Sequence, residues 1–110
     1  MAQHRHEKSA KKQPSLADDA AGIQRLLGIL GYAHLRARVA RGAVLVESGP
    51  SDDPHVHLRL RPHLGENWRA DVPTHTRRWQ PLPYVGPRGN MVAWINQDFP
   101  WLLSADPSAG

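Results

Sequence analysis

Between residues 34 and 61 the chain carries three short stretches in which apolar and polar residues alternate: 34–39 (HLRARV), 43–47 (AVLVE) and 55–61 (HVHLRLR). A period of two is incompatible with a helix and is what a half-buried strand requires, because successive side chains point to opposite faces of a sheet. One face would then carry Leu35, Ala37, Val39, Val44, Val46, Val56, Leu58 and Leu60. The other would carry His34, Arg36, Arg38, His55, His57, Arg59 and Arg61. An antiparallel sheet with one buried and one basic face follows from that split alone.

The first two strands fit a hairpin. A two-residue loop at Arg41-Gly42 pairs Val39 with Val44 and Ala37 with Val46 on the apolar face, and it sets Arg36 opposite Glu47 on the other, where unlike charges attract. The run 49–54 (GPSDDP) is a dense turn signal leading into the third strand. After a second turn at 62–66, residues 67–72 alternate again, with Trp68, Ala70 and Val72 in the apolar set and Asn67, Arg69 and Asp71 in the polar one. The segment 77–85 contains Pro81 and Pro83, which cannot donate to a ladder, so it is at best an edge strand or an extended loop.

Helices are expected at both ends. Ser15 is a good N-cap with Asp18 at the capping-box position, and Ala20, Ile23, Leu27 and Leu30 recur at helical spacing before Gly31 stops the run. Gly22 and Gly28 weaken that helix. Asn90 can cap a second, short helix that places Val92, Ile95 and Phe99 on one face with Trp94 beside them. Pro100 ends it, and Trp101, Leu102 and Leu103 form a hydrophobic anchor. The expected fold is α+β: a two-layer sandwich in which an antiparallel meander of four or five strands carries the N-terminal and C-terminal helices on one face. Residues 15–103 form the expected single domain, 1–14 a flexible basic tail and 104–110 a frayed C-terminus.

Composition narrows the function classes. With no cysteine among 110 residues, disulfides, Cys-rich zinc sites and thiol chemistry are excluded. No apolar run approaches a membrane span and no apolar h-region follows the basic start, so a cytoplasmic protein without membrane contact is expected. The formal charge of +4 is uneven: residues 1–14 hold Arg5, Lys8, Lys11 and Lys12 against Glu7, a net of +3, and the remainder is nearly neutral at +1. Global charge therefore speaks for a sticky tail rather than a nucleic-acid-binding domain.

Candidate binding residues are Arg36, Arg38, His55, His57, Arg59 and Arg61 on the basic face, and Trp79 and Tyr84 on the proline-rich segment. The guanidinium fork suits phosphate or carboxylate. The basic face offers no aromatic in this register, and Glu47 and Asp71 interrupt it, so a solvated face laced with ion pairs is the simpler account. Trp79 and Tyr84 could instead line a groove for a peptide or partner subunit. His55 and His57 have acceptable spacing for two metal ligands, yet no third donor is singled out and Arg59 and Arg61 would repel a cation, so no metal and no cofactor are expected. The Ser51-Asp52-Asp53 turn beside His55 is explained by turn chemistry, and no nucleophile elbow, P-loop, dinucleotide fingerprint or zincin motif occurs. The expectation is a small non-catalytic binding or accessory protein recognising a protein partner or a second copy of itself. The alternative is a nucleic-acid-binding module using the Arg/His face and the basic tail.

Overall fold

A computed structural model describes residues 15–104. The expected flexible tail at 1–14, and all but Ser104 of the expected frayed end, lie outside the described residues. Helix α1 spans Leu16–Ile29 and opens as its sequence dictates: the Ser15 side chain accepts from the Asp18 backbone N–H, and the Asp18 carboxylate accepts in turn from the Ser15 backbone. Its buried face is Ala20, Ile23 and Leu27, and Gly31, at a φ of 96°, turns the chain away from the helix.

Five strands follow in one antiparallel sheet whose spatial order is the order of the chain: β1 Arg36–Ala40, β2 Ala43–Ser48, β3 His55–Pro62, β4 Asn67–Pro73 and β5 Trp79–Pro87. The β1–β2 hairpin has the expected register, with Arg36 opposite Glu47, Ala37 opposite Val46 and Val39 opposite Val44. Its two loop residues, Arg41 and Gly42, have φ of 51° and 76°, the left-handed pair that a tight hairpin turn with the correct twist demands. The segment from Trp79 is an edge strand, as its prolines require.

Helix α2, Arg88–Asp98, follows β5 without an intervening loop, and a 3-10 turn at Pro100–Leu103 closes the described chain. The helix begins at Arg88 with Pro87 as its cap residue, so Asn90 lies inside it and is not the N-cap that the sequence suggested. Arg88, the first residue of the helix, reaches back with its guanidinium to the Asp19 carboxylate of α1 at 2.5 Å and lies across Gly22 of α1. A Cβ at position 22 would sit 2.7 Å from Arg88 Nη2. The glycine that weakens α1 leaves room for the guanidinium in this position.

Both helices lie on one face of the sheet. Ile23 and Leu27 of α1, Met91, Val92 and Ile95 of α2 and Leu103 of the 3-10 turn are buried in one cluster with Leu35, Val44, Val46, Leu58, Leu60, Trp68 and Ala70. Val39, expected in this core, is 40% exposed, because it lies at the turn end of an edge strand. Edge β1 is partly closed by a side chain: Gln24 of α1 accepts from the Ala37 N–H and donates to the Leu35 carbonyl, both at 2.8 Å. The amide thus takes the place of a neighbouring strand there.

Two irregularities decide what the open face presents. Between Val46/Glu47 and Leu58/Val56 the register shifts by one residue, with His57 the extra residue of β3. Between Arg69/Asp71 and Val85/Pro81 the β5 strand carries two extra residues. A one-residue bulge reverses the alternation beyond it, and a two-residue insertion preserves it.

Candidate functional site

The open face of the sheet is built on two buried carboxylates. Glu47 on β2 and Asp71 on β4 are each only 1% exposed, although both stand in the polar register. Each is enclosed by arginines from an adjacent strand. Arg38 grips Glu47 with two parallel hydrogen bonds, Nε to Oε1 and Nη2 to Oε2, both 3.0 Å. Arg36 lies against the same carboxylate at 3.4 Å and donates from Nη1 to the Gly49 carbonyl at 2.6 Å. Arg61 makes the equivalent fork to Asp71, at 2.7 and 3.2 Å, and Arg59 adds a third bond at 3.0 Å. Arg59 is further fixed from its flat side, 4.4 Å from the centroid of the Trp79 ring.

An isolated carboxylate in such a place would be neutralised by its burial; paired with two guanidiniums it stays charged. The hydrogen bonds from Arg38 hold Glu47 below the usual carboxylate range, outweighing its burial, with Arg36 assisting. Burial pushes Asp71 up, but the bonds and charges of Arg61 and Arg59 together outweigh it and its pKa also lies below normal. Arg38 and Arg61 are raised by the same bonds. Arg69, in register with Arg61, adds a fifth guanidinium. Five cations over two carboxylates leave this face strongly positive. Two of its nitrogens, Arg36 Nη2 and Arg69 Nε, are shielded from solvent without a hydrogen-bond partner, a costly state.

Arg36, Arg38, Arg59 and Arg61 thus share one face, as the alternation implied. The histidines do not join them. The bulge at His57 returns that side chain to the helix-covered side, where it is 6% exposed. His55 follows it there, with the two rings edge to face at 4.7 Å. Trp79 and Tyr84 are also separated. Trp79 lies on the arginine face, while Tyr84 packs on Trp94 and Phe99 and donates to the Asp98 carboxylate at 2.5 Å. The groove expected from that pair is not formed, and the basic face does possess an aromatic.

His57 is held at both nitrogens. Nδ1 is 2.8 Å from the Leu102 carbonyl and Nε2 is 2.7 Å from Ser48 Oγ. A carbonyl only accepts, so Nδ1 carries the proton, and in the neutral ring Nε2 accepts from the serine hydroxyl. Burial, with the nearby His55 and His34 in support, pushes the imidazole pKa down against the raising effect of the Leu102 carbonyl. Because the unfolded chain takes up this proton first, the stability His57 contributes is full above about pH 6.5 and is lost as pH falls through the depressed folded value. Urea melts between about pH 5 and 8 should show that decline, and His57→Gln should remove it. An unchanged slope in the variant would show that His57 does not carry the effect.

Among the described residues no group of three His, Cys, Asp or Glu side chains is placed to hold a metal ion, and no helix among them is long and apolar enough to cross a membrane. No protein-family model, curated protein or solved structure matches the chain. What the alternation could not reveal was the role of Glu47 and Asp71. The only sequence signal for it is that each stands in register with an arginine of the neighbouring strand, Arg36 with Glu47 and Arg59 with Asp71.

Proposed function

We propose that the chain is a binding protein whose open sheet face docks an acidic surface of a protein partner. The observation that carries this reading is the set of four guanidiniums pinned by two buried carboxylates around the Arg59–Trp79 stack. A free arginine side chain loses rotamer entropy when a partner immobilises it; these have already been ordered by folding, so that cost is reduced. Every cation from residue 15 onward is arginine, the residue whose fork matches a carboxylate. Arginine and tryptophan are also the side chains that dominate interface energies.

Other routes to a partner are less open. Pro81, Pro83 and Pro87 remove donors from the β5 edge and Gln24 caps part of the β1 edge, which disfavours strand addition. A second copy presenting the same positive face would be repelled, and so would the basic segment 1–14. Trp79 favours one further reading, a single-stranded nucleic acid with phosphates on the arginines. A solitary aromatic, already stacked by Arg59, makes that the weaker fit.

Fluorescence anisotropy with an oligoglutamate peptide and with a short oligouridine, at about 50 and 200 mM salt, separates the two. The peptide should bind, and Trp79→Ala should weaken it by about 2 kcal/mol, some thirtyfold. The variant Arg59→Gln/Arg61→Gln/Asp71→Asn, which removes the buried carboxylate together with its two arginines, should lose binding while remaining folded. Preferential, steeply salt-dependent binding of oligouridine would transfer the face to nucleic acid. Failure of both probes would remove the proposal.

A further inference from the structure

We propose that Ser48 is an activated nucleophile, with His57 as its general base and the Leu102 carbonyl as the group that orients the base, forming a site for acyl transfer from small ester substrates. This goes beyond the arginine face and lies on the other side of the sheet. The three groups come from separate places in the chain: the end of β2, the bulged position of β3 and the C-terminal 3-10 turn. The bulge is what joins them. In an uninterrupted ladder His57 would point to the arginine face, away from Ser48; the extra residue swings it across, the kind of re-aiming for which bulges recur beside active sites.

The resulting chain has the logic of nucleophile, base and orienter. Ser48 Oγ lies 2.7 Å from Nε2, and the 2.8 Å contact of Nδ1 with the Leu102 carbonyl fixes the tautomer that leaves Nε2 as acceptor. Burial keeps the ring neutral near pH 7, so it is free to take a proton. His34 provides the contrast: it too meets a carbonyl of the 3-10 turn, Leu103 at 3.0 Å, and so ties the turn down, but among the described residues no hydroxyl meets its other nitrogen. His57 also forms part of the wall of an open cavity of about 250 Å³, shared with Val72, Pro73, Trp101 and Ser104; Ser48 does not line that cavity and is itself half-buried at the end of its strand.

The chemistry balances without a redox partner. Ser48 Oγ attacks the ester carbonyl as its proton passes to Nε2. The tetrahedral adduct then expels the alkoxide, which leaves as alcohol after taking the proton back from Nε2. Water repeats the sequence on the acyl-serine, releasing the carboxylic acid and restoring the hydroxyl. General-base assistance supplies about 10²–10⁴-fold, so turnover of activated esters should be slow.

The test uses the full chain and a fluorophosphonate probe, which phosphonylates a serine oxygen and releases fluoride, with the labelled residue located by peptide mass spectrometry. Labelling should fall on Ser48 at least about a hundredfold faster than in urea-unfolded chain. Its rate should rise with pH and level off as the His57 imidazole becomes neutral. Ser48→Ala should abolish labelling and hydrolysis of p-nitrophenyl acetate above the background of the other histidines. His57→Gln, folded by circular dichroism, should lose the acceleration; if it unfolds, the wild-type pH profile decides. An unlabelled Ser48, or labelling without that pH dependence, would reduce the arrangement to a latch between sheet and 3-10 turn and overturn the proposal.

Discussion

Val46→Asp should lower the unfolding free energy by about 3 kcal/mol or more, because it places an unpaired charge where no water reaches it. Val46 is 1% exposed and packed in the cluster that contains Leu27, Leu58, Ile95 and Leu103. None of these side chains can satisfy a carboxylate, and the nearby helices leave no path for it to reach solvent. Val39→Asp provides the control. It lies in the same register of the same hairpin, yet Val39 is 40% exposed, so the loss should stay near 0.5 kcal/mol. Urea melts with an unchanged denaturant slope read both values. Equal losses would show that the core extends to the turn, contrary to the burial gradient along β1.

That gradient also marks what the sequence can and cannot convey. The capping box at Ser15, the Arg41-Gly42 turn and the pairing of Ala37 with Val46 are local or nearly so, and each is written in a few adjacent residues. The bulge at His57 is not. It depends on how β2 and β3 settle against each other after a turn that leaves register free, and nothing in the run HVHLRLR distinguishes its first three residues from the rest. The cost of missing it is high, since one extra residue moved both histidines from the basic face to the helix side. The two-residue insertion in β5 had the opposite consequence: it kept parity and brought Trp79 onto the arginines.

Burial of the carboxylates was hidden for a different reason. Alternation sorts side chains by face, and an exposed face is assumed to be wet. Here long arginine side chains fold over Glu47 and Asp71 and exclude water from a surface that has no helix on it, so the face carries a buried layer of its own. Substitutions among these arginines are therefore not the neutral surface changes that the alternation suggests.

Arg59→Gln/Arg61→Gln should accordingly destabilise the fold by about 3 kcal/mol, the lower end of what an uncompensated buried charge costs, because both guanidiniums are partly in water. Asp71 keeps its 1% exposure in the parent fold and would lose the three hydrogen bonds that keep it ionised. Adding Asp71→Asn should recover most of the loss, since a neutral amide among glutamines carries no buried charge. The pH dependence should reverse as well. In the parent, Asp71 has a depressed pKa, so its contribution is full above about pH 4 and is lost as pH falls through the folded value. In the double variant the burial that remains beneath the shorter glutamines acts unopposed and raises that pKa; the penalty then disappears as pH falls, because the carboxyl accepts a proton instead of remaining charged. Urea melts of the parent, the double and the triple variant between about pH 3 and 7 would show the double variant alone gaining stability on acidification relative to the triple. Equal stabilities across that range would mean that Asp71 reaches water without its arginines, and that the pinned face is a crystal-like arrangement of surface charges with no buried layer beneath it.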